Sequence, residues 1–336
     1  MFVVESYPIA VILCVATMLC WGSWANTQKL TGKDWPFQLF YWDYSIGVLL
    51  VALIMAFTVG STGPFGRGFL ADVAQADPRW LTSAFVGGVI FNLSNILLVG
   101  AIDIAGLAVA FPVGVGLALV LGVGTTYLIK REGYLPLLAA GVTCIVVAII
   151  LDAVAYRRLA SAQRRTPGRG IVLSAAAGVL MGWFYSFVAQ SMGNLDPHTH
   201  ALESGKLSAY SALVLFSFGL FASNFVWNSI VMAKPFQGDP VPYRDYLRRG
   251  TLRLHAVGVL GGVIWNLGMG LDILASNAAG PALSYGLGQG ATLVGGVWGV
   301  FVWKEFRAAP PGTGRLLVAM FGFYVLGLAV LISSKV

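Results

Sequence analysis

Apolar runs about twenty residues long, bounded by charge, Pro or Gly, recur along the whole 336-residue chain. They predict helices near 8–28, 38–60, 80–102, 104–129, 134–156, 170–192, 208–233, 254–276, 279–303 and 314–333. The first run follows Glu5 rather than a basic segment and carries Trp21, Trp24 and Asn26 where a cleavage site would need small residues, so it reads as a retained helix and not a signal peptide. Ten spans leave only short loops and no room for a soluble catalytic domain.

Composition agrees with that reading. Hydrophobic residues make up 57% and charged residues 10% of the chain, and the mean hydropathy is +0.79. A soluble domain needs about 25% charged residues. The 42 glycines suit helices that approach closely in lipid. A net charge of +7 would suggest nucleic acid in a soluble protein; here it reports loops retained on one side of a bilayer. Six Lys and Arg (Arg67, Arg79, Lys130, Arg131, Lys206, Lys335) fall at the termini and after helices 2, 4, 6 and 8. The other fifteen follow helices 1, 3, 5, 7 and 9, including Arg157, Arg158, Arg164, Arg165 and Arg169. The positive-inside rule then places both termini outside the cytoplasm, in a plasma (inner) membrane. Cys14, Cys20 and Cys144 lie inside apolar runs and read as packing residues, not a disulfide framework or metal cluster.

One feature goes beyond topology. Gly87-Gly88-Val89-Ile90-Phe91-Asn92-Leu93 recurs as Gly261-Gly262-Val263-Ile264-Trp265-Asn266-Leu267, a shift of 174 that continues without a gap to Lys130 and Lys304, with 18 of 44 positions identical. A weaker match sets Tyr44-Ser45 against Tyr210-Ser211. A shift of five spans inverts the repeat in the membrane, as in secondary transporters, where two such halves expose a central site to either side in turn. The expected fold is therefore all-α and integral to the membrane: ten transmembrane helices in two inverted five-helix repeats, residues 1–156 and 170–336, joined by a basic cytoplasmic linker at 157–169. The alternative is a duplication that serves packing alone.

A site at the repeat interface would draw on polar and aromatic residues near helix centres. Asn92 and Asn266 are repeat equivalents, and Asn95 shares a helix face with Asn92. An amide donates and accepts, which suits a neutral polar solute; the competing role for each is hydrogen bonding between helices. Trp24, Asn26, Trp183, Tyr185, Tyr285 and Gln289 complete the substrate-binding candidates, since flat aromatic faces stack on ring-shaped solutes. Trp35 and Trp80 read as interfacial belt residues. Proton coupling needs an intramembrane carboxylate, for which Asp43 and Asp272 lead over Glu203, Asp103 and Glu5. Both are open to structural pairing as well, although no Lys, Arg or His falls well inside a span to serve as partner. Clustered glycines with Pro112 (Pro112 to Gly116, and Gly286 to Gly290) loosen helices 4 and 9. Gly286 to Ala291 fits a dinucleotide fingerprint without a preceding strand, so no cofactor is expected. His198 and His200 beside Asp196 read as solvated residues, not a metal site.

Taken together, the ten-span pattern, the opening Val3-Val4-Glu5-Ser6, then Asp43-Tyr44-Ser45 and Gly87-Gly88-Val89 resemble the ureide permease branch of the drug/metabolite transporter superfamily. The chain is also similar to the glucose/ribose porter and rhamnose permease families. The resemblance implies proton-coupled uptake of a small neutral solute: allantoin, uracil and related heterocycles, or sugars. Asn95 and Asp43 match the plant pattern, whereas Asn92 stands where that pattern has a small hydroxyl residue, and the 157–169 link is shorter than its plant counterpart.

The sequence thus predicts a secondary active transporter, not an enzyme. It would import an uncharged ring-shaped solute (a ureide, a nucleobase or a sugar) with protons, within a lipid bilayer and without nucleic acid, a metal or a cofactor. An exporter of the same superfamily and a non-transporting receptor or scaffold are the competing classes.

Overall fold

The computed structural model describes residues 1–32, 35–105, 107–159, 168–196 and 198–335, without the side chains of 107–109 and 111. Fourteen α-helices appear in chain order among these residues: α1 Tyr7–Ser23, α2 Ala25–Thr31, α3 Phe37–Phe57, α4 Phe69–Gln75, α5 Pro78–Ala105, α6 Leu107–Ile129 and α7 Leu135–Leu159, then α8 Gly168–Ser191, α9 Ala209–Ala233, α10 Arg244–Arg248, α11 Leu252–Ala279, α12 Pro281–Gly288, α13 Ala291–Val297 and α14 Thr313–Ile332. Extended structure among the described residues is limited to two isolated bridges, Met192–Leu207 and Leu195–Leu202. Backbone groups in hydrocarbon must be satisfied within the segment, which is why apolar runs of this length become helices.

Nine helices among the described residues are long and apolar enough to cross a membrane, with α1 and α2 counting as one, Tyr7–Thr31. The run expected as a continuous helix at 279–303 is broken. Gly280 at φ +86° permits the turn into Pro281 at the start of α12. At Gly288–Gly290 the ladder tightens: the Gly290 N–H reaches Leu287 O at 2.9 Å and the Thr292 N–H reaches Gln289 O at 3.3 Å. After α13 the chain instead underwinds into a π-helical turn, Trp298–Val302. Of the linker predicted at 157–169, residues 160–167 lie outside the described residues.

Both termini reach one face, here called the terminal face, where the Tyr7 hydroxyl donates to Ile332 O and Phe2 N–H to Val59 O at 2.8 Å. The opposite, basic face carries Lys29, Arg157, Arg158, Lys234, Arg248 and Lys304. The flanks between the faces are apolar, with Ile12, Leu128, Val172 and Val318 exposed, as lipid contact requires.

The centre is built by exchange between the halves. Helix α5 of the first half packs on α9 of the second, and α11 of the second packs on α3 of the first. The two crossings share one geometry. A Cβ added at Gly88 would lie 1.9 Å from Phe216 O, and one at Gly262 would lie 1.9 Å from Tyr44 O. Likewise Gly219 meets Phe85 O and Gly47 meets Val259 O, each at 2.1 Å from such a Cβ. Helices this close need glycine on both sides. These contacts relate α3 to α9 by 172 residues, so Tyr44 corresponds to Phe216. The Tyr44-Ser45 and Tyr210-Ser211 match is therefore six residues out of register.

Candidate functional site

At each crossing an amide fastens the helices that glycine lets together. Asn92 Nδ2 donates to Leu220 O at 3.1 Å and Ser223 Oγ at 2.9 Å. Asn266 Nδ2 donates to Val48 O at 2.8 Å and Ser217 Oγ at 3.3 Å. Both side chains are fully buried, and both Oδ1 atoms lack a partner. Their donor groups thus hold helices together while their acceptors stay unpaired.

Between the crossings runs an aromatic wall. Trp21 stacks on Trp265 at 6.0 Å between centroids, Trp265 meets Phe91 at 4.5 Å and Tyr44 at 6.3 Å, and Tyr44 lies 4.9 Å from Trp24 and 5.1 Å from Tyr41. The Trp21 indole N–H donates to Trp265 O at 3.1 Å, which fixes that ring. Two polar ends flank the wall. At one, Asn95 Nδ2 donates to the Tyr41 hydroxyl at 3.0 Å. At the other, Asp272 is fully buried, and a Cβ at Gly288 would touch both its Oδ1, at 3.2 Å, and the Trp21 ring, at 2.8 Å. The carboxyl therefore sits against the break in the α12–α13 segment.

Neither Asp272 oxygen makes a hydrogen bond of good geometry, although the Tyr185 hydroxyl faces the carboxyl, and the Tyr44 hydroxyl, also fully buried, makes none. Buried polar groups in proteins are nearly always paired, and each exception calls for a reason. The neighbouring Tyr185 hydroxyl pairs with Ser284 Oγ at 3.3 Å, and Tyr285 donates to Met181 O at 3.1 Å. Its ring lies 5.1 Å from that of Tyr185.

The remaining sequence candidates separate from this centre. Trp183 is 48% exposed on the outside of α8. Asn26 lies toward the basic face, accepting from the Trp303 indole N–H at 2.6 Å and donating to Ser23 O at 3.1 Å. Gln289 is buried beside the helix break, its backbone N–H reaching Tyr285 O at 3.1 Å.

Asp43 is buried near the basic face and is partnered, the structural pairing that the sequence leaves open, by a histidine near the start of a span. His255 Nδ1 lies 2.9 Å from Oδ1 and 3.1 Å from Oδ2, and the Tyr246 hydroxyl donates to Oδ1. His255 starts α11 one turn in from Thr251, so it looks like a loop-proximal residue in sequence and becomes a partner only when α11 crosses α3. Trp35, expected in the interfacial belt, is instead 2% exposed, with its ring 5.3 Å from His255. The contact spans 212 residues, and the clue that sequence offers is the Tyr246-x8-His255 spacing beside the repeat. Among the described residues, no cluster of three His, Cys, Asp or Glu could hold a metal ion. His200 instead lies 3.8 Å from Glu5.

Comparison with known proteins follows the same outline. The ureide permease family model matches residues 40–167 and 167–334. Ureide permease 1 of Arabidopsis thaliana is 24% identical, covering all of this chain and 99% of that protein. Ureide permease 2 of the same plant is also 24% identical, again over all of this chain and 99% of that one. A crystal structure of a protein with 19% identity superposes with a TM-score of 0.61, covering 96% of this chain and 95% of the other, a likeness of fold. The chain belongs to the ureide permease family; it is a multi-pass membrane transporter and not an enzyme.

Proposed function

We propose that this member of the ureide permease family imports a small uncharged ring-shaped solute, a ureide or nucleobase such as allantoin or uracil, by proton symport. The two halves act as inverted repeats of five spans each, the broken α12–α13 segment supplying the tenth. They rock to open the aromatic centre to each face in turn. The basic face lies in the cytoplasm and both termini lie outside.

The observation that carries this reading is the set of buried polar atoms without partners along the aromatic wall: the Tyr44 hydroxyl and both Asp272 oxygens. A heterocycle with amide-like edges answers both, stacking on Trp24 and Trp265 while its N–H groups meet the carboxylate. Asn95 with Tyr41 reads the opposite edge. The acceptor atoms of Asn92 and Asn266 join the site when the crossings shift, whereas Trp183, exposed on the outside of α8, has no part in it. Asp272, unpartnered and enclosed, takes up the proton at the site, and Asp43 responds nearer the basic face.

Purified protein in liposomes, given labelled allantoin, uracil, glucose, ribose and rhamnose with and without an inward proton gradient, tests the proposal. Gradient-stimulated uptake of the heterocycles supports it. Uptake of the sugars alone moves the chain to the porter reading, and absence of uptake with efflux of amphipathic compounds moves it to export.

A further inference from the structure

The repeat extends beyond the spans into the loops. Helix α4 stands between α3 and α5 on the terminal face, and α10 stands between α9 and α11 on the basic face. Tyr246 of α10 follows Asp72 of α4 by 174 residues, the shift that relates α5 to α11. Each of these two residues reaches into the other half.

On the terminal face, fully buried Asp72 accepts from the Ser208 backbone N–H at 2.7 Å, at the start of α9, and from Arg67 Nε at 3.1 Å. Arg67 goes on to Leu202 O at 2.9 Å, Glu203 O at 3.0 Å and Lys206 O at 3.2 Å. Gln75 of α4 adds its amide to Lys206 O at 2.9 Å and accepts from the Gly205 N–H at 2.8 Å. The first-half loop is thereby tied to the connection that precedes α9.

On the basic face the roles are exchanged. The α10 residue is the donor, and the carboxylate belongs to α3: Tyr246 donates to Asp43, and His255 holds both carboxylate oxygens. Trp35 closes the edge, 6.0 Å from the Tyr246 ring. Among the described residues, the titratable groups facing Asp43 are His255 from α11 and Tyr246 from α10. Of the other charges on α10 and at its end, Arg244 lies 4.0 Å and Arg249 3.4 Å from Asp245, and Arg248 is exposed. Helix α9 presents Met232 to Trp42, not a charge to Asp43.

The two ties differ in one chemical respect. The terminal-face tie pairs its carboxylate with a guanidinium, a permanent charge that favours the ionised acid. The basic-face tie pairs its carboxylate with an imidazole and a phenol, donors that carry no permanent charge.

We infer that the Asp43–His255–Tyr246 contact is a proton-operated latch on the basic face, and that the Arg67–Asp72–Ser208 contact is its proton-insensitive counterpart on the terminal face. In the latched state Asp43 is an anion accepting from two donors. A proton added to the carboxylate itself, over and above any that the imidazole holds, removes the charge that both donors answer, the Tyr246 bond weakens, and α10 swings free of α3. Acidification therefore loosens the basic face and leaves the terminal face closed. The inference rests on the alternating-access reading above, yet its test requires neither solute nor transport.

The test is amide hydrogen exchange of the full chain in nanodiscs, expressed as protection factors so that intrinsic rates cancel, for peptides covering α10 and α4. Between about pH 8 and about pH 5.5, α10 in the unaltered chain is expected to lose about tenfold protection, the factor for one charge-assisted hydrogen bond, while α4 does not change. Asp43→Asn is expected to leave α10 loose at both pH values. Tyr246→Phe, which keeps the acid and the imidazole and alters only a loop hydroxyl, is expected to do the same should the Asn variant fail to fold. Protection of α10 that is independent of pH in the unaltered chain overturns the inference. So does loss at α4 in parallel with α10, or an unaltered pH response in Tyr246→Phe. If the latch behaves as described and no heterocycle is taken up, the solute assignment fails and the latch stands.

Discussion

The crossing of α11 on α3 offers a sharp perturbation, Gly262→Ala. The new methyl carbon would stand 1.9 Å from Tyr44 O and 2.8 Å from Val48 N, whereas carbon and carbonyl oxygen approach to little less than about 3.3 Å. Both obstructing atoms are helix backbone, so no side chain can rotate away. The helices must separate by more than about 1 Å, and overpacking of this kind costs about 1–3 kcal/mol. The separation also stretches the Asn266 Nδ2 contact to Val48 O, now 2.8 Å, past hydrogen-bonding range. Asn266 Oδ1 already lacks a partner, so a largely unsatisfied buried amide adds about 1–3 kcal/mol more. The expected loss is about 2–6 kcal/mol, read as a fall of many degrees in the melting midpoint of the purified protein in one detergent. Gly88→Ala repeats the geometry at Phe216 O and should lose a similar amount. Gly295→Ala, whose Cβ would meet nothing within 4 Å, is the control and should be neutral or slightly stabilising because alanine is the better helix former. Equal midpoints for Gly262→Ala and Gly295→Ala would refute the reasoning, because the close backbone approach would then not constrain the native state.

Three further outcomes follow from the geometry. Asp272→Asn replaces an enclosed, unpartnered carboxyl by a neutral isostere, so stability should hold or rise while proton-driven accumulation falls by at least about tenfold; accumulation that persists in liposomes removes Asp272 from coupling. Tyr41→Phe and Asn95→Ala should each raise the KM for solute, and the double variant should do little more than either alone, since both break the single 3.0 Å contact; additive effects would place them in separate roles. Burial opposes the charge on Glu305, yet hydrogen bonds from Tyr156 and Lys29 outweigh it and hold the carboxyl below its usual range. A depressed value stabilises the fold above the unfolded carboxylate range and loses that contribution as pH falls through the folded value. Lys29 is half exposed, so Lys29→Met should cost less than about 1 kcal/mol near neutral pH, and the difference should vanish in acid denaturation midpoints once Glu305 is protonated.

Nine of the ten expected spans are found among the described residues, readable because each apolar run ends in charge, Pro or Gly, and the 87–130 sequence repeat pointed to α5 and α11 as counterparts. Long-range pairing was less readable. The Asn92 and Asn266 amides stand out as intramembrane polar groups, but sequence does not say that Nδ2 is committed to a neighbouring helix while Oδ1 is not. The break after Gly288 was signalled by clustered glycines, yet such clusters serve close packing equally, as at Gly47 and Gly219. Helices α4 and α10 are too short to show a period. His255 was passed over because its position near a helix start suggests water, and its contact with Trp35 and Asp43 arises only when α11 lies across α3.

Two neighbours on α3 connect the centre to the basic face. Asp43 meets Tyr246 and His255, and the adjacent Tyr44 stacks among Trp24, Tyr41 and Trp265. Helix α11 makes the second connection, carrying His255 at one end and Asp272 toward the other, about 25 Å apart along the axis. Gly47 and Gly262 keep these two helices in backbone contact between those points, where glycine leaves no side chain to absorb a shift. If solute and proton act at Asp272 as proposed, the displacement of α11 that they drive would be carried to His255 by a stiff rod, and a displacement of Tyr44 to Asp43 through one peptide unit. In the proposed cycle both routes end on the same carboxylate. The latch would then answer both to a proton on Asp43 itself and to displacement carried from an occupied site, and joint dependence of this kind is what a symporter needs before it opens the basic face.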